Sequence, residues 1–393
     1  MKRMPVFFAA FTLVFAACEE PGSISIPVTV TFNGNGHTGG MVVPSALLGP
    51  AGTPMPIPVQ GSLVKTAYTF RGWNTQPNGS GTDYIAGGSY AFAADTTLYA
   101  KWKADWIVID AVSAFGNFDI LGIAWGGGTF VAGGQSGQMA YSGNGVTWAG
   151  IDTTAFFDAS WIKGIAWGNG TFVAGGESGK MAYSGNGVAW SPVGTSPSFG
   201  ILGIAYGNGT FVAVGQGGQM AKSADGGVSW TSVTSPFSSF DIYGIVWGDG
   251  TFVAGGDYGL MARSVDGGSW TPVTSPFGAS AIRGVAYGGG KFVAVGDSGM
   301  AWSIDGVSWT PVVTSAFDVS SMYGIAYGGG KFVAGGMSGK MAWSGNGETW
   351  TGIDGTASPF SISIMPHIQG IAYGGGKFVA VGNGGTMAYH EYP

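Results

Sequence analysis

The segment from residue 104 to the end of the sequence repeats itself, and it does so with its ends cut out of phase. The recurring core reads GIAWGGGTFVAGG…GQMAYSGNGVTW. Its first glycine falls at Gly122, Gly164, Gly203, Gly244, Gly284, Gly324 and Gly370, at intervals of 39 to 46 residues. Periods of that length belong to propellers and solenoids. The seventh copy stops at GTMAYHEYP, without the Trp segment that ends the other six. That missing piece stands ahead of the first copy: DWIVIDAVSAFGNFDILG (105–122) aligns with TWAGIDTTAFFDASWIKG (147–164). A solenoid needs capped ends and has no reason to divide a repeat in this way. A closed ring does, because a strand lent from the N-terminal side shuts the last sheet and removes two open edges.

Each copy carries four strand-like pieces. GIAWG and TFVAGG are nearly continuous apolar runs, as expected of strands covered on both faces. QMAYS is the third piece, and the fourth begins at the Trp after an Asn-Gly or Asp-Gly pair. Such short turns make antiparallel hairpins. The fold class expected for residues 104–393 is therefore all-β: a seven-bladed β-propeller closed by an N-terminal strand, with Trp106 to Asp110 as the outer strand of the seventh blade.

The turn between the third and fourth pieces reads SADGGVSW at Ser223–Trp230. Related copies end at Trp148, Trp190, Trp270, Trp309 and Trp350. It resembles the Asp-box of sialidase-like propellers. In those families the box sits at the blade rim, away from the active face. Here Asp225, Asp266 and Asp305 alternate with Asn144, Asn186 and Asn346 at one position. Asp and Asn share the geometry of a turn residue but not acid–base chemistry, so the motif reads as a turn. A sialidase would need three arginines on the substrate carboxylate, which lysine does not replace readily, and residues 104–393 contain only Arg263 and Arg283. No catalytic constellation is complete and no nucleophile elbow stands out. His367 and His390 could meet across the last blade. The expectation is a protein that is not an enzyme and needs no cofactor or metal. A carbohydrate-active enzyme is the alternative, one that two carboxylates in the central pocket would revive.

Residues 26–102 have a different texture. VTVTFNGNG alternates and then turns at Asn-Gly. Phe32-Asn33, Phe70-Arg71-Gly72-Trp73-Asn74, Gly79-Ser80-Gly81-Thr82 and Leu98-Tyr99-Ala100-Lys101-Trp102 resemble the Listeria–Bacteroides repeat, or internalin B-type repeat. The resemblance implies a small β-grasp-like module of surface proteins, acting as a spacer or as an adhesive unit.

The first residues, MKRMPVFFAAFTLVFAACEE, join a short basic start to an apolar run too short to span a bilayer. Small residues before the lone Cys18 resemble a bacterial lipobox. That implies a signal peptide over 1–17, acylation of Cys18 and a lipidated linker over 18–25; an ordinary secretory signal is the alternative. One cysteine excludes an internal disulfide and cysteine-based metal clusters. The net charge of −6, with only 9% charged residues, argues against nucleic-acid binding. The expected location is the cell envelope, lipid-anchored, at the outer membrane or surface rather than on the inner membrane facing the periplasm.

In propellers the face carrying the second-to-third and fourth-to-first connections usually holds function. By repeat symmetry Gln135, Glu177, Gln216, Asp257, Asp297, Met337 and Asn383, with Tyr258 beside Asp257, fall on one ring near the channel mouth. They are candidate ligand contacts, or else solvated turns free to vary. The fourth-to-first loops carry Phe118, Phe157, Phe199, Phe237, Phe240, Phe277, Phe317 and Phe360, which plug gaps between blades or form an aromatic patch. The longest, 355–370, is a candidate partner contact. The functional expectation is an envelope lipoprotein binding a protein or glycan noncovalently. A periplasmic factor for assembling membrane complexes is a further alternative, because some Asp-box propellers resemble such factors.

Overall fold

The computed structural model describes residues 26–65, 68–104, 106–314, 316–317, 320–353 and 367–391. Cys18, Phe360 and most of the 355–370 insertion lie outside them. Two compact units divide at Lys103 and Ala104.

The first unit is built on a five-stranded mixed sheet. Pro27–Asn33 pairs antiparallel with Ala46–Pro50 and parallel with Thr96–Ala104, and Tyr68–Asn74 and Asp83–Tyr84 complete it. Alternation in VTVTF places Val28, Val30 and Phe32 on the buried face, where Phe32 and Phe70 meet Trp73 edge-on. The Trp73 indole is fully buried and donates to the Pro58 carbonyl at 2.8 Å. The grasp-like sheet is present, but no helix packs on it among the described residues.

The second unit contains seven four-stranded antiparallel sheets among the described residues. In six of them the strands follow chain order. In the seventh, Ile368–Gly374, Lys377–Gly382 and Met387–Glu391 are completed by Ile107–Ile109 from the other end of the domain. Ile107, Val108 and Ile109 lie opposite Tyr389, Ala388 and Met387. The divided repeat is thus joined across the ring, as its split ends require. The innermost strands lie side by side in sequence, and the last, Ile368–Gly374, lies against the first, Ile120–Gly126. The fold is an all-β propeller.

The glycine that closes each innermost strand explains the packing between sheets. A Cβ on Gly126 would fall 1.9 Å from the Trp167 ring of the next sheet, and one on Gly168 would fall 1.9 Å from Tyr206. The pattern continues around to Gly374, where a Cβ would sit 2.0 Å from Trp125 of the first sheet. Only glycine leaves room for an aromatic face to rest on the backbone there. Each hydrophobic cluster accordingly spans two neighbouring sheets: Phe157 is fully buried among Val131 and Met139 of one and Ile162 and Phe172 of the next. Phe199, Phe237, Phe277 and Phe317 are likewise buried, so these loop phenylalanines plug the gaps. Phe118 and Phe240 are exposed.

The rim turns do what their residue types allow. Asn144 Oδ1 accepts from the Val146 and Thr147 amides at 2.8 and 2.9 Å. Asp305 Oδ1 accepts from Val307 and Ser308 at 2.9 and 2.8 Å. Asn and Asp occupy one geometry. Where Asp stands, hydrogen bonds hold its carboxyl down at about 2: chiefly the Ser229 hydroxyl for Asp225, the Ser269 amide for Asp266 and the Ser308 amide for Asp305.

Candidate functional site

Every innermost strand contains a β-bulge at the same place. In the second sheet, Ile162 lies opposite Gly176 and Gly164 opposite Gly175, so Lys163 is the extra residue. A bulge redirects the side chain it extrudes. The extruded residues are Leu121, Lys163, Leu202, Tyr243, Arg283, Tyr323 and Gln369. All seven line one axial cavity of about 280 Å³. Two positions further along the same strands, Ile123, Ile165, Ile204, Ile245, Val285, Ile325 and Ile371 line an apolar throat below them. No Asp or Glu lines the cavity, so the paired carboxylates that would favour hydrolysis of a glycoside are not among its walls.

The connections between second and third strands lie at the end of the sheets where the bulges occur. Six of them are single turns of 3-10 helix opened by Gln135, Glu177, Gln216, Asp257, Met337 and Asn383. In the fifth sheet Asp297 takes the corresponding place, its amide bonded to the Ala281 carbonyl. Three of these residues reach the extruded ring, each fourteen positions after its partner. The Tyr243 hydroxyl donates to Asp257 Oδ1 at 2.9 Å. Arg283 makes a bidentate pair with Asp297, Nε to Oδ1 at 2.9 Å and Nη2 to Oδ2 at 2.7 Å. Gln369 Nε2 donates to Asn383 Oδ1 at 2.9 Å. Gln135, Glu177, Gln216 and Met337 are exposed, and Gln135 caps the neighbouring loop by accepting from the Asp119 amide at 3.3 Å. Tyr258 is also exposed, in a left-handed conformation, and packs edge-on against Phe240.

Charge in the mouth is uneven. The Arg283 guanidinium lies over the Tyr243 ring, 4.3 Å from its centre, and its pairing with Asp297 raises its pKa. Burial, then the Asp257 hydrogen bond, pushes the Tyr243 phenol up to about 12. Lys163 approaches the same ring at 5.8 Å. Burial, reinforced by Arg283, pushes its ammonium down to about 8, with Asp241 opposing. His367 stands near the mouth, edge-on to Tyr323, and its Nδ1 accepts from the Ser338 amide at 3.4 Å. His390 lies at the opposite end of its sheet, paired with Phe378 and packed on Trp106. The two histidines do not meet.

The extruded ring was missing from the residues singled out in the sequence, which named only the turns above it. Its signal was nonetheless available: the position immediately before each repeat glycine reads Leu, Lys, Leu, Tyr, Arg, Tyr, Gln within an otherwise uniform strand.

Comparisons with known proteins support both units. Residues 29–101 match the Listeria-Bacteroides repeat domain. A protein of Evansella cellulosilytica described as a Gly-rich membrane protein is 46% identical over 48 residues. That stretch is 12% of this chain and 6% of the relative, so the chain spans a small part of the relative's length. Among solved structures, YCF48 bound to D1 peptide superposes with a TM-score of 0.59 at 15% identity, covering 74% of this chain and 96% of that one. YCF48 from Cyanidioschyzon merolae gives 0.57 at 16% identity, covering 73% and 99%. A catalytically inactive virginiamycin B lyase from Staphylococcus aureus, with quinupristin, gives 0.62 at 11% identity, covering 73% and 99%. These likenesses define the class of the second unit as a propeller; at such identities they carry the fold alone. The chain is a Listeria-Bacteroides repeat-domain module followed by a propeller.

Proposed function

We propose that this chain is an envelope lipoprotein whose propeller binds a protein or glycan noncovalently at the channel mouth, with the repeat-domain module as spacer. Cys18, acylated, is the anchor in this reading. The observation that carries the binding role is the ring of bulges. Seven copies of one strand each extrude a side chain into one cavity, and the side chains differ while their scaffold stays constant. A structural channel filled for stability alone has no use for Lys163 and Arg283 in its lining. Asp257, Asp297 and Asn383 extend the same surface outward. A propeller of similar fold has been solved with a peptide bound, which makes peptides the first ligands to try.

The test is a pull-down and a glycan array with the intact chain, followed by the double substitution Asp257→Ala and Asp297→Ala. Binding should fall at least tenfold in the double variant and be unchanged by Asp225→Ala on the opposite face. Equal binding by all three proteins would remove the mouth as the site.

A further inference from the structure

We infer that the channel mouth is a monocarboxylate site, in which Lys163 receives the carboxylate and Leu121 and Leu202 hold an aliphatic group next to it. This deepens the reading of the mouth as the ligand site and rests on it.

The two cations of the ring are in different states. Arg283 is already engaged twice by Asp297 and stacked on Tyr243. Lys163 has no hydrogen bond or ion pair among the described residues. Glu177, which occupies in its sheet the place that Asp297 holds in its own, is exposed, and no bond joins it to Lys163. On the ring, the positions on either side of Lys163 are Leu121 and Leu202. A half-buried ammonium flanked by leucines, with only the Tyr243 ring at 5.8 Å and no hydrogen-bonding partner, is completed by an anion. Its lowered pKa of about 8 is the sign of that environment, and it leaves the group mostly protonated at neutral pH.

The surroundings select the anion. Asp241, Asp257 and Asp297 stand around the mouth, so a phosphate dianion meets repulsion that a single carboxylate charge largely avoids. A sugar would need a free aromatic face, but the Tyr243 ring is taken by Arg283 and approached by Lys163, and Tyr323 abuts His367. What remains beside the ammonium is aliphatic. At about 280 Å³ the cavity is below the roughly 300–1,000 Å³ of clefts that enclose a whole drug-sized ligand, so it accepts one end of a ligand: a carboxyl group and the side chain beside it.

The probe is N-acetyl-L-leucine, compared with neutral N-acetyl-L-leucinamide, titrated by calorimetry into the intact chain. The acid should bind at least tenfold more tightly than the amide. Lys163→Met, which keeps the stem and removes the charge, should abolish that preference while leaving the melting temperature near the parent's. The unaltered chain offers an independent arm. Raising the pH from 7 to 9.5 deprotonates Lys163 and should weaken acid binding about tenfold or more, with no change for the amide. The charged and titratable groups facing Lys163 are Arg283, Tyr243 and Asp241, with Glu177, Asp257 and Asp297 further out, and none is a second amine. Equal affinity for acid and amide, a preference that survives Lys163→Met, or stronger binding of inorganic phosphate would overturn the assignment. If any of these occurs while the Asp257/Asp297 double variant still loses its captured ligand, only the carboxylate assignment fails. If that ligand is retained as well, the mouth itself is the wrong site.

Discussion

The seam between the seventh and first sheets offers a sharp test of how the propeller is held together. Substituting Gly374→Ala places a methyl carbon 2.0 Å from Trp125 Cδ2 and 2.1 Å from Cγ. Ordinary contact begins near 3.4 Å, so the indole must retreat by about 1.4 Å. It cannot do so freely: Phe130, fully buried, lies 4.4 Å from it between ring centres. Overpacking of this kind costs about 1–3 kcal/mol, occasionally more. With both partners confined, the upper end is expected, about 3 kcal/mol. The control is Gly330→Ala, at the equivalent turn of the sixth sheet. There φ is +76° but nothing lies within 4 Å of the new carbon, so only backbone strain of about 1–2 kcal/mol remains. Chemical denaturation of both variants against the parent chain measures the two terms. If Gly374→Ala costs no more than Gly330→Ala, the aromatic-on-glycine seam does not hold the sheets.

Other expectations follow from the rim and the loops. Replacing Asp225, Asp266 and Asp305 together by Asn should leave stability at pH 7 nearly unchanged, because Asn already fills the same turn in three sheets. The carboxyls titrate near 2 when folded and near 3.9 when unfolded. Their contribution is therefore present above about pH 4 and lost as pH falls through 2. The triple variant should show a flatter decline over that window, and an unchanged acid limb would refute the assigned hydrogen bonds. Phe157→Ala should cost about 3–5 kcal/mol, as for a fully buried aromatic, whereas Phe118→Ala, at a side chain 43% exposed, should cost under about 0.5 kcal/mol; similar losses would contradict the plugging role.

Much of the fold was legible because a repeat reports its own geometry. The lone Trp segment before Gly122 specified the closing strand, and the interchange of Asp and Asn at one turn position identified a turn. The loop phenylalanines were ambiguous, since Phe157 and Phe118 occupy similar loops and only packing distinguishes the buried one from the exposed one. The turn residues above the channel were placed by symmetry, but symmetry could not say which of them turn inward. Asp257, Asp297 and Asn383 do because Tyr243, Arg283 and Gln369 offer them partners fourteen residues earlier. The extruded ring itself escaped notice for a physical reason. GIAWG reads as an unbroken apolar strand, and a bulge leaves no mark in hydrophobic periodicity; the varied residue before each repeat glycine is the one trace in the sequence, and only register with the neighbouring strand shows that it is extruded.

Ring closure underlies the cavity, the mouth and every site assigned to them. Val108 lies directly opposite Ala388, and paired residues in a sheet stand within the Cα separation of about 4.4–6.8 Å that a disulfide requires. A chain with Cys18→Ser, Val108→Cys and Ala388→Cys should therefore oxidise to an intramolecular bridge closing a loop of about 280 residues, with a stabilisation of up to about 5 kcal/mol on loop-entropy grounds. On a non-reducing gel it should migrate as a compact species that reverts on reduction. Failure to bridge under oxidising conditions, with both thiols free in the folded chain, would contradict the closed propeller and the binding ring built upon it.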